Sequence, residues 1–580
     1  MIKRSGYSSE AMKDSLYQVI WCYMLIYGLL LNGLPGRAAS LESGQKFKSY
    51  SVNRVINYFP EKLDLSTPEL AYATISRVIM AQGEEGKWRR VSVKKYDSPS
   101  SGFPPSDAPR REVSKEEAEK WLNTKILEVR IFRDRYAGVI ALLPLTERLF
   151  DLRWFEKEEG EWRNTGNDQG RSDWKTIEDV RKFFDIGIER GLEREIKLSN
   201  YENAVALKPT DVAPFVRYLK EHSEEPEAFV MEKLSSRVIV LLGEIHHRQQ
   251  AWNFNCRLVE RPDFHEKVGI IFMELSSHCQ PKIDSFLASK ILDTKPVIET
   301  LRETLSFGWA GQGTLDFFKT VWRVNQKLPA DKKIRVILAD IPRPYSKMKT
   351  REDLGKFSGL NRDQFMADCI STTLCKYKND NRNSLFLVGM GHVCLGPNST
   401  SAGSRLRDEW GPEAVYTIFT HTARISDRGE VFGRLRHGIF DSAFAEMGNK
   451  PIAFELKDSP FGSEIFDAMP EVIEGTYQDN FDAYLFLGPL KEDYRCPLIE
   501  GFYDEEFFRQ LDRRNRISNG KSLAEDGINN LEVLVERILE YGYGKPTWRD
   551  QDLGPINAWQ MTDEEVEKWL REHSKNKKSP

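Results

Sequence analysis

Val238-Ile239-Val240-Leu241-Leu242-Gly243-Glu244-Ile245-His246-His247 is the stretch on which the reading of this 580-residue chain turns. It is an unbroken apolar run that ends in an acid and two histidines. Three further stretches follow the same plan. Gly269-Ile270-Ile271-Phe272-Met273 runs into Glu274, Ile334-Arg335-Val336-Ile337-Leu338-Ala339 into Asp340, and Ser384-Leu385-Phe386-Leu387-Val388 through Gly389-Met390-Gly391 into His392. Continuous apolar runs of this length predict strands covered on both faces of a mostly parallel sheet. Ligands bind such sheets in the crevice at the carboxyl ends of the strands, so the polar ends are expected to share one pocket.

Helical patterns near residues 249–260, 281–289, 296–305, 314–328 and 363–377 separate these runs, and 414–419 reads as another strand. Alternation of this kind implies a parallel sheet with right-handed crossovers and helices on both faces, an α/β fold. The runs 451–456 and 483–487 extend the same sheet. The length calls for more than one domain. The expected division is an N-terminal segment at 1–40, a small α+β domain at 41–190, a charged helical connector at 191–232, the α/β domain at 233–490 and a helical extension at 491–580. In the extension, Thr562 and Glu565 have capping-box spacing ahead of a lysine-rich tail.

Within the small domain, Ser66 and Glu69 have capping-box spacing with Pro68 in the first helical turn, and the helix runs to about residue 81. A loop rich in proline and glycine follows at 99–109. Apolar runs at 127–132, 138–145, 150–155 and 162–164 then form an antiparallel meander, with Glu159-Gly160 as a hairpin turn. The pattern resembles the cystatin-like roll of the nuclear-transport-factor-2 superfamily. It contains no acid-histidine cluster, which points to packing, binding or targeting rather than catalysis.

The net charge of −4 with intermixed signs supplies no basic field and excludes a nucleic-acid partner. At the start of the chain Lys3, Arg4 and Lys13 precede an apolar run at 19–31, and Pro35-Gly36-Arg37-Ala38-Ala39-Ser40 follows. That order reads as a secretory signal peptide. The run is short for a membrane span, and an uncleaved anchor is the alternative. The expected location is exported, in the periplasm, cell envelope or extracellular space, with membrane contact only through this segment. Besides Cys22 in the apolar run, Cys256, Cys279, Cys369, Cys375, Cys394 and Cys496 form no CxxC pair. They are either disulfide partners in an exported chain or buried free thiols.

The candidate catalytic residues are His246, Glu244, Glu274 and His392. A neutral imidazole takes a proton from water near pH 7, and a neighbouring carboxylate fixes its tautomer and steadies the imidazolium. His246 with Glu274 or Glu244 makes such a base, and His392 is a second acid or base. His247, Asp340, Arg343 and Gly391 are expected to bind substrate or ligand, with Arg343 facing developing negative charge. Glu244, His246, Glu274 and His392 are also the residue types that hold a divalent metal. Spacing leaves the two chemistries open. The sheet region has no GxSxG elbow for a serine nucleophile.

The first stretch, together with Phe272-Met273-Glu274-Leu275 and Val388-Gly389-Met390-Gly391-His392, resembles the superfamily of erythromycin esterases, ChaN haem-binding proteins and Tiki/TraB proteases. The segments Arg248-Gln249-Gln250 and Gln280-Pro281-Lys282-Ile283-Asp284-Ser285-Phe286-Leu287 are most similar to the ChaN branch. The resemblance spans about 238–489. It implies an α/β domain with its site at these strand ends, where Glu244, His246, Glu274 and His392 match the family's pocket residues. The esterases imply hydrolysis by histidine-activated water, the Tiki proteins a metal-dependent peptidase. ChaN implies haem binding in iron uptake, as a homodimer. His247 departs from the esterases, which have a glycine-containing turn there. Two readings follow, an exported hydrolase acting on an ester or peptide bond of a small-molecule or peptide substrate, and a haem-binding protein. For the second, His247, Tyr345 and Phe307-Gly308-Trp309 are the residues near a haem slot.

Overall fold

A computed structural model describes residues 47–80, 119, 121–144, 150–169, 174–188, 207–358, 360–397, 399–425, 431–469 and 474–574. The N-terminal segment at 1–40, the loop at 99–109 and the lysine-rich tail lie outside the described residues. Residues 47–188 belong to one compact unit and 207–574 to another.

In the first unit the strands β1 (Lys48–Val55), β2 (Lys125–Phe132), β3 (Tyr136–Leu142), β4 (Phe150–Glu158) and β5 (Glu161–Gln169) pair antiparallel in sequence order. The expected meander is present, with β1 added at its edge. Most of β1 is exposed and polar, so it carries no apolar alternation to betray it. Glu159 and Gly160 both have positive φ, 52° and 85°, the two-residue turn whose twist matches the strands it joins. Helix Pro68–Met80 lays Ala71, Tyr72 and Ile75 against Ile126, Val129, Val139 and Phe155. Its cap differs from the expected one. Thr67 Oγ1 accepts from Leu70 N at 3.4 Å, while Ser66 donates its hydroxyl to Asp64 and Glu69 accepts from Tyr50 Oη. The opposite sheet face packs Ile140 and Leu152 on Val180 and Phe184 of the helical residues 177–188.

The second unit is built on β6 (Ile239–Glu244), β7 (Val268–Ser276), β8 (Arg335–Asp340), β9 (Asn383–Gly389), β10 (Val415–Thr420), β13 (Ile452–Glu455) and β14 (Ala483–Phe486). They lie side by side in the order β13-β14-β10-β6-β9-β7-β8, and every pair is parallel except β13 with β14 at the edge. A separate hairpin joins β11 (Ala423–Ile425) to β12 (Val431–Arg434). This is the α/β fold that the apolar runs predict, including the later two. All residues of β6 and β7 are buried. Ile239 and Leu241 meet Met366 and Ile370 in one core layer, and by the two-residue period of a strand Val240 and Leu242 face the other. Each such fully buried side chain stabilises the fold by about 1.5–3 kcal/mol.

From β6 the chain crosses to β7 and β8 on one side. It then returns to insert β9 beside β6 before reaching β10 on the other side. That reversal opens the crevice at the strand ends. Helices Ala213–His222 and Pro226–Ser236, within the stretch read as a connector, fold onto this unit with Phe215 and Leu219 in its core. Beyond β14, helices Glu505–Asn519, Leu531–Glu540 and Asp563–Ser574 form the expected helical extension, and Thr562 and Glu565 make the expected reciprocal cap. The extension also ties down the crevice rim: Cys496 N donates to His247 O at 2.7 Å, and Arg514 pairs with the buried Glu303 at 3.0 Å. The six described cysteines are free, and no described helix is long and apolar enough to cross a membrane.

Candidate active site

Each polar group at the crevice is placed by a feature of the strand end that carries it. Glu244 closes β6. The chain then turns through His247, whose φ of 68° is a left-handed conformation rare for a residue with a side chain. Glu274 is not simply the end of β7. Between Met273, opposite Leu338, and Ser276, opposite Asp340, β7 holds one residue more than β8, and this bulge re-aims the Glu274 segment. Gly389 ends β9 where a side chain would crowd the site. A Cβ there would stand 3.0 Å from the His246 ring and 3.3 Å from Glu274 Oε2. A Cβ at Gly391 would meet only Met469, at 4.0 Å, so the close approach falls at Gly389 rather than Gly391.

The side chains form one chain of alternating charge. His246 Nδ1 lies 2.7 Å from Glu244 Oε1, and its Nε2 lies 3.5 Å from Glu274 Oε2. Glu274 also accepts from Gly389 N at 2.9 Å and from Arg362, and its Oε1 is 3.5 Å from His392 Nε2. Arg362 grips Asp340 with two hydrogen bonds, at 2.9 and 2.8 Å. Arg343 stands 3.7 Å from the same Asp340. His392 Nδ1 lies 2.8 Å from Asp363 Oδ1, which also accepts from Ala402 N. The expected Glu244, His246, Glu274, Asp340, Arg343 and His392 are therefore brought together, as a string centred on Glu274.

Charge governs the titration of this string. Burial alone would lower the pKa of His246, but the carboxylates of Glu274 and Glu244 outweigh it and raise the value above 6.5. Burial likewise opposes the charge on His392, yet Asp363 and Glu274 push its pKa up to about 10. Glu274 is held well below the ordinary carboxylate range against its burial, by His392, Arg362 and His246. Asp363 is lowered against burial chiefly by His392. His392 is thus an imidazolium throughout the neutral range. His246, with a third of its side chain exposed, is the member that exchanges a proton with solvent.

Beside His246 lies a small cavity of about 20 Å³ whose walls include Glu244, Glu274, Trp252, Asn255 and Trp309. The Trp309 and His246 rings are 4.6 Å apart, inclined at 64°. His247 does not line this cavity. It is buried against Trp309 and Tyr543, its Nδ1 has no hydrogen-bond partner among the described residues, and burial drives its pKa well below 6.5.

The four candidate metal ligands do not converge on a point. Each imidazole has a carboxylate at both nitrogens, and among the described residues no group of three or more His, Cys, Asp or Glu is placed to hold an ion. This donor set does not fit a divalent metal. For haem, His247, Tyr345 and Trp309 are only 7%, 4% and 5% exposed and enclosed by their neighbours, so none is presented to an open slot.

Arg362 and Asp363, from the start of helix Arg362–Lys376, were not singled out in the sequence. The available signal was a cation in the first turn of a helix, where the macrodipole disfavours it. Asn255 and Trp252 lie on helix Gln249–Glu260 among apolar neighbours and give no sequence sign of facing a cavity.

No family model matches this chain, and no curated protein does. Among solved structures, a Bacillus cereus protein is 13% identical over 48% of this chain and 97% of its own, with a TM-score of 0.34. An erythromycin esterase mutant in its open conformation is 13% identical over 44% and 92%, with a TM-score of 0.32. ChaN of Campylobacter jejuni, described with cofacially bound haem, is 14% identical over 35% and 88%, with a TM-score of 0.25. The last two bear the family names that the sequence motifs resemble.

Proposed function

We propose that this centre hydrolyses an ester or peptide bond of a small-molecule or peptide substrate by water that His246 activates. The observation that carries the reading is the pairing of His246 Nδ1 with Glu244 Oε1 at 2.7 Å. That bond fixes the tautomer and leaves Nε2 beside the cavity, too far from Glu274 Oε2, at 3.5 Å, for a good hydrogen bond. In its neutral form Nε2 accepts a proton from water as the oxygen attacks the carbonyl carbon. The imidazolium that results lies between the carboxylates of Glu244 and Glu274 with Trp309 beside it, and all three favour the added charge. Arg362 and His392, both cations, stand on the far side of Glu274. They keep it ionised and supply positive field for the negative charge that grows on the carbonyl oxygen. His392 stays charged at neutral pH, and the proton that His246 takes from water passes on to the leaving group. Asp340 holds Arg362 by two bonds and sets its orientation.

The test is turnover of a panel of 4-nitrophenyl esters, lactones and short peptides by the full chain and by His246→Asn. Loss of a general base lowers kcat by about 10²–10⁴-fold. The far-ultraviolet spectrum and Tm stay close to those of the parent. Hydrolysis that persists in the variant, or a parent that turns over nothing, overturns the proposal. The pH profile gives an independent reading. Because its carboxylate neighbours raise the His246 pKa, kcat/KM climbs with pH through an inflection above 6.5, and Glu244→Gln moves that inflection down.

A further inference from the structure

We propose that segment 493–499 of the C-terminal extension is a positioning strap for the centre, holding His246 against Trp309, with Arg248 and Asp493 as the positioning residues that fasten it. The kinetic consequence rests on the hydrolytic reading; the placement of the ring does not.

His246 and Trp309 come from separate turns, one between β6 and helix Gln249–Glu260, the other ahead of helix Gln312–Gln326. The strap bonds to both. Toward the first turn, Cys496 N donates to His247 O at 2.7 Å and Gln249 N to Tyr494 O at 2.8 Å. Toward the second, Gln312 N donates to Pro497 O at 2.8 Å and Ile499 N to Ala310 O at 2.9 Å. Pro497 has no N–H and serves with its carbonyl alone. Cys496 is fully buried, and it packs where residue 313 is glycine: a Cβ there would stand 2.7 Å from Cys496 Sγ. The outer edge of the strap is paired too, through Arg495 N to Lys545 O at 2.9 Å and Thr547 N to Asp493 O at 2.8 Å. Displacing the strap would leave backbone groups on both sides without partners, which holds it in place.

Side chains fasten the same joint. Arg248 is 3% exposed; its Nε donates to Asp493, and its Nη1 to His421 O at 2.6 Å, just past β10. One guanidinium two residues from His246 therefore ties the turn to the strap and to the sheet. The turn needs such a joint, because His247 holds a left-handed φ of 68°, a conformation that persists only where the surroundings over-determine it. Released from the strap, residue 247 relaxes toward negative φ and swings the neighbouring His246 ring away from Trp309, now 4.6 Å off.

Gln249→Pro perturbs the joint at one atom. Gln249 is the first residue of its helix, where proline fits, and Arg248 before it is already extended at ψ 127°. The substitution removes the N–H bonded to Tyr494 O, and Gln249→Ala controls for the side chain. Asp493→Asn loosens the joint from the strap side. The full chain, isotopically labelled at the histidine rings, is followed by NMR, with His246→Asn identifying the His246 signal. The Trp309 ring current displaces that signal at such close range. In Gln249→Pro and Asp493→Asn the signal moves toward that of an imidazole remote from any ring. In both, kcat for 4-nitrophenyl acetate falls about tenfold to a hundredfold with KM within about twofold of the parent. Gln249→Ala matches the parent in signal and rate. A His246 signal unmoved in Gln249→Pro and Asp493→Asn, whatever their Tm, leaves the strap a merely structural element and overturns the proposal. An equal shift in Gln249→Ala, or a moved signal with the parent's kcat, overturns it as well. A signal that moves in the variants of a chain whose parent turns over no ester removes the hydrolytic reading and leaves the strap standing.

Discussion

His392 should make the stability of the α/β unit fall steeply with pH in the alkaline range, and His392→Gln should remove that fall. Its imidazolium lies 2.8 Å from Asp363 and 3.5 Å from Glu274, which lift its pKa from the ordinary 6.5 to about 10 despite burial. Below pH 6.5 both the folded and the unfolded chain hold this proton, and the contribution is complete. Between 6.5 and about 10 only the folded chain holds it, so stability declines by ~1.4 kcal/mol per pH unit, amounting to ~5 kcal/mol across the window. Above the folded pKa the contribution is gone. Urea unfolding followed by tryptophan fluorescence at intervals from pH 6 to 10.5 measures the slope directly. The difference between parent and His392→Gln reads the His392 contribution together with the response of His246, whose pKa the His392 charge holds down. Parallel curves for the two proteins from pH 7 to 10 would refute the charge arrangement assigned to Asp363, His392 and Glu274.

Gly389→Ala should lower kcat/KM by about tenfold to a hundredfold, because the new methyl stands 3.0 Å from the His246 ring and must displace it. The same crowding costs about 1–3 kcal/mol in urea unfolding, and unchanged turnover would show that the ring is not where the reaction needs it. Arg362→Leu should destabilise the unit by about 3–5 kcal/mol, since it removes the guanidinium bonded to both buried acids, leaving Asp340 with Arg343 at 3.7 Å and Glu274 with the two histidines. Arg362→Lys should recover only part of that loss, because an ammonium cannot reproduce the two-point grip on Asp340. Equal stability of parent and Arg362→Leu would mean that the cluster is not held together by this side chain.

The sheet was readable because parallel strands buried on both faces carry near-continuous apolar runs, as residues 239–242 of β6, 270–273 of β7 and 385–388 of β9 do. The acids and histidines at their ends were readable for the converse reason: nothing in a core needs Glu244, Glu274 or His392 there. Helix Gln249–Glu260 matched to the residue, since its apolar period begins and ends cleanly. The hidden elements lack such contrast. The edge strand β1 buries almost nothing, and at 191–232 the expected charged helical connector did not reveal that its helices pack on the sheet, because Ala213–His222 and Pro226–Ser236 carry charge on their outer faces. The cap of helix Pro68–Met80 moved by one residue because Asp64 competes for Ser66. Arg362 and Asp363 escaped because a helix start supplies them, a position where polar residues are ordinary caps. The bulge in β7, which one extra residue creates, leaves no mark on the apolar pattern.

The ordering of charge along the site explains why a carboxylate sits at its centre. Glu274 is 6% exposed and surrounded by His246, Arg362 and His392, so its own ionisation is never in question. What it contributes is a fixed negative potential shared by two imidazoles in unequal surroundings. His392 has Asp363 as a second anion and only 18% of its side chain exposed, so it stays charged. His246 has Glu244 as its second anion but 34% exposure and a cavity at its side, so it can be neutral when water arrives and charged when the proton has moved. The two histidines, alike in sequence context, are separated into a fixed cation and a proton acceptor by burial and neighbours alone. A site built this way needs no rearrangement of charge other than the proton on His246, which is the condition under which a preorganised cluster lowers a barrier rather than merely binding its substrate.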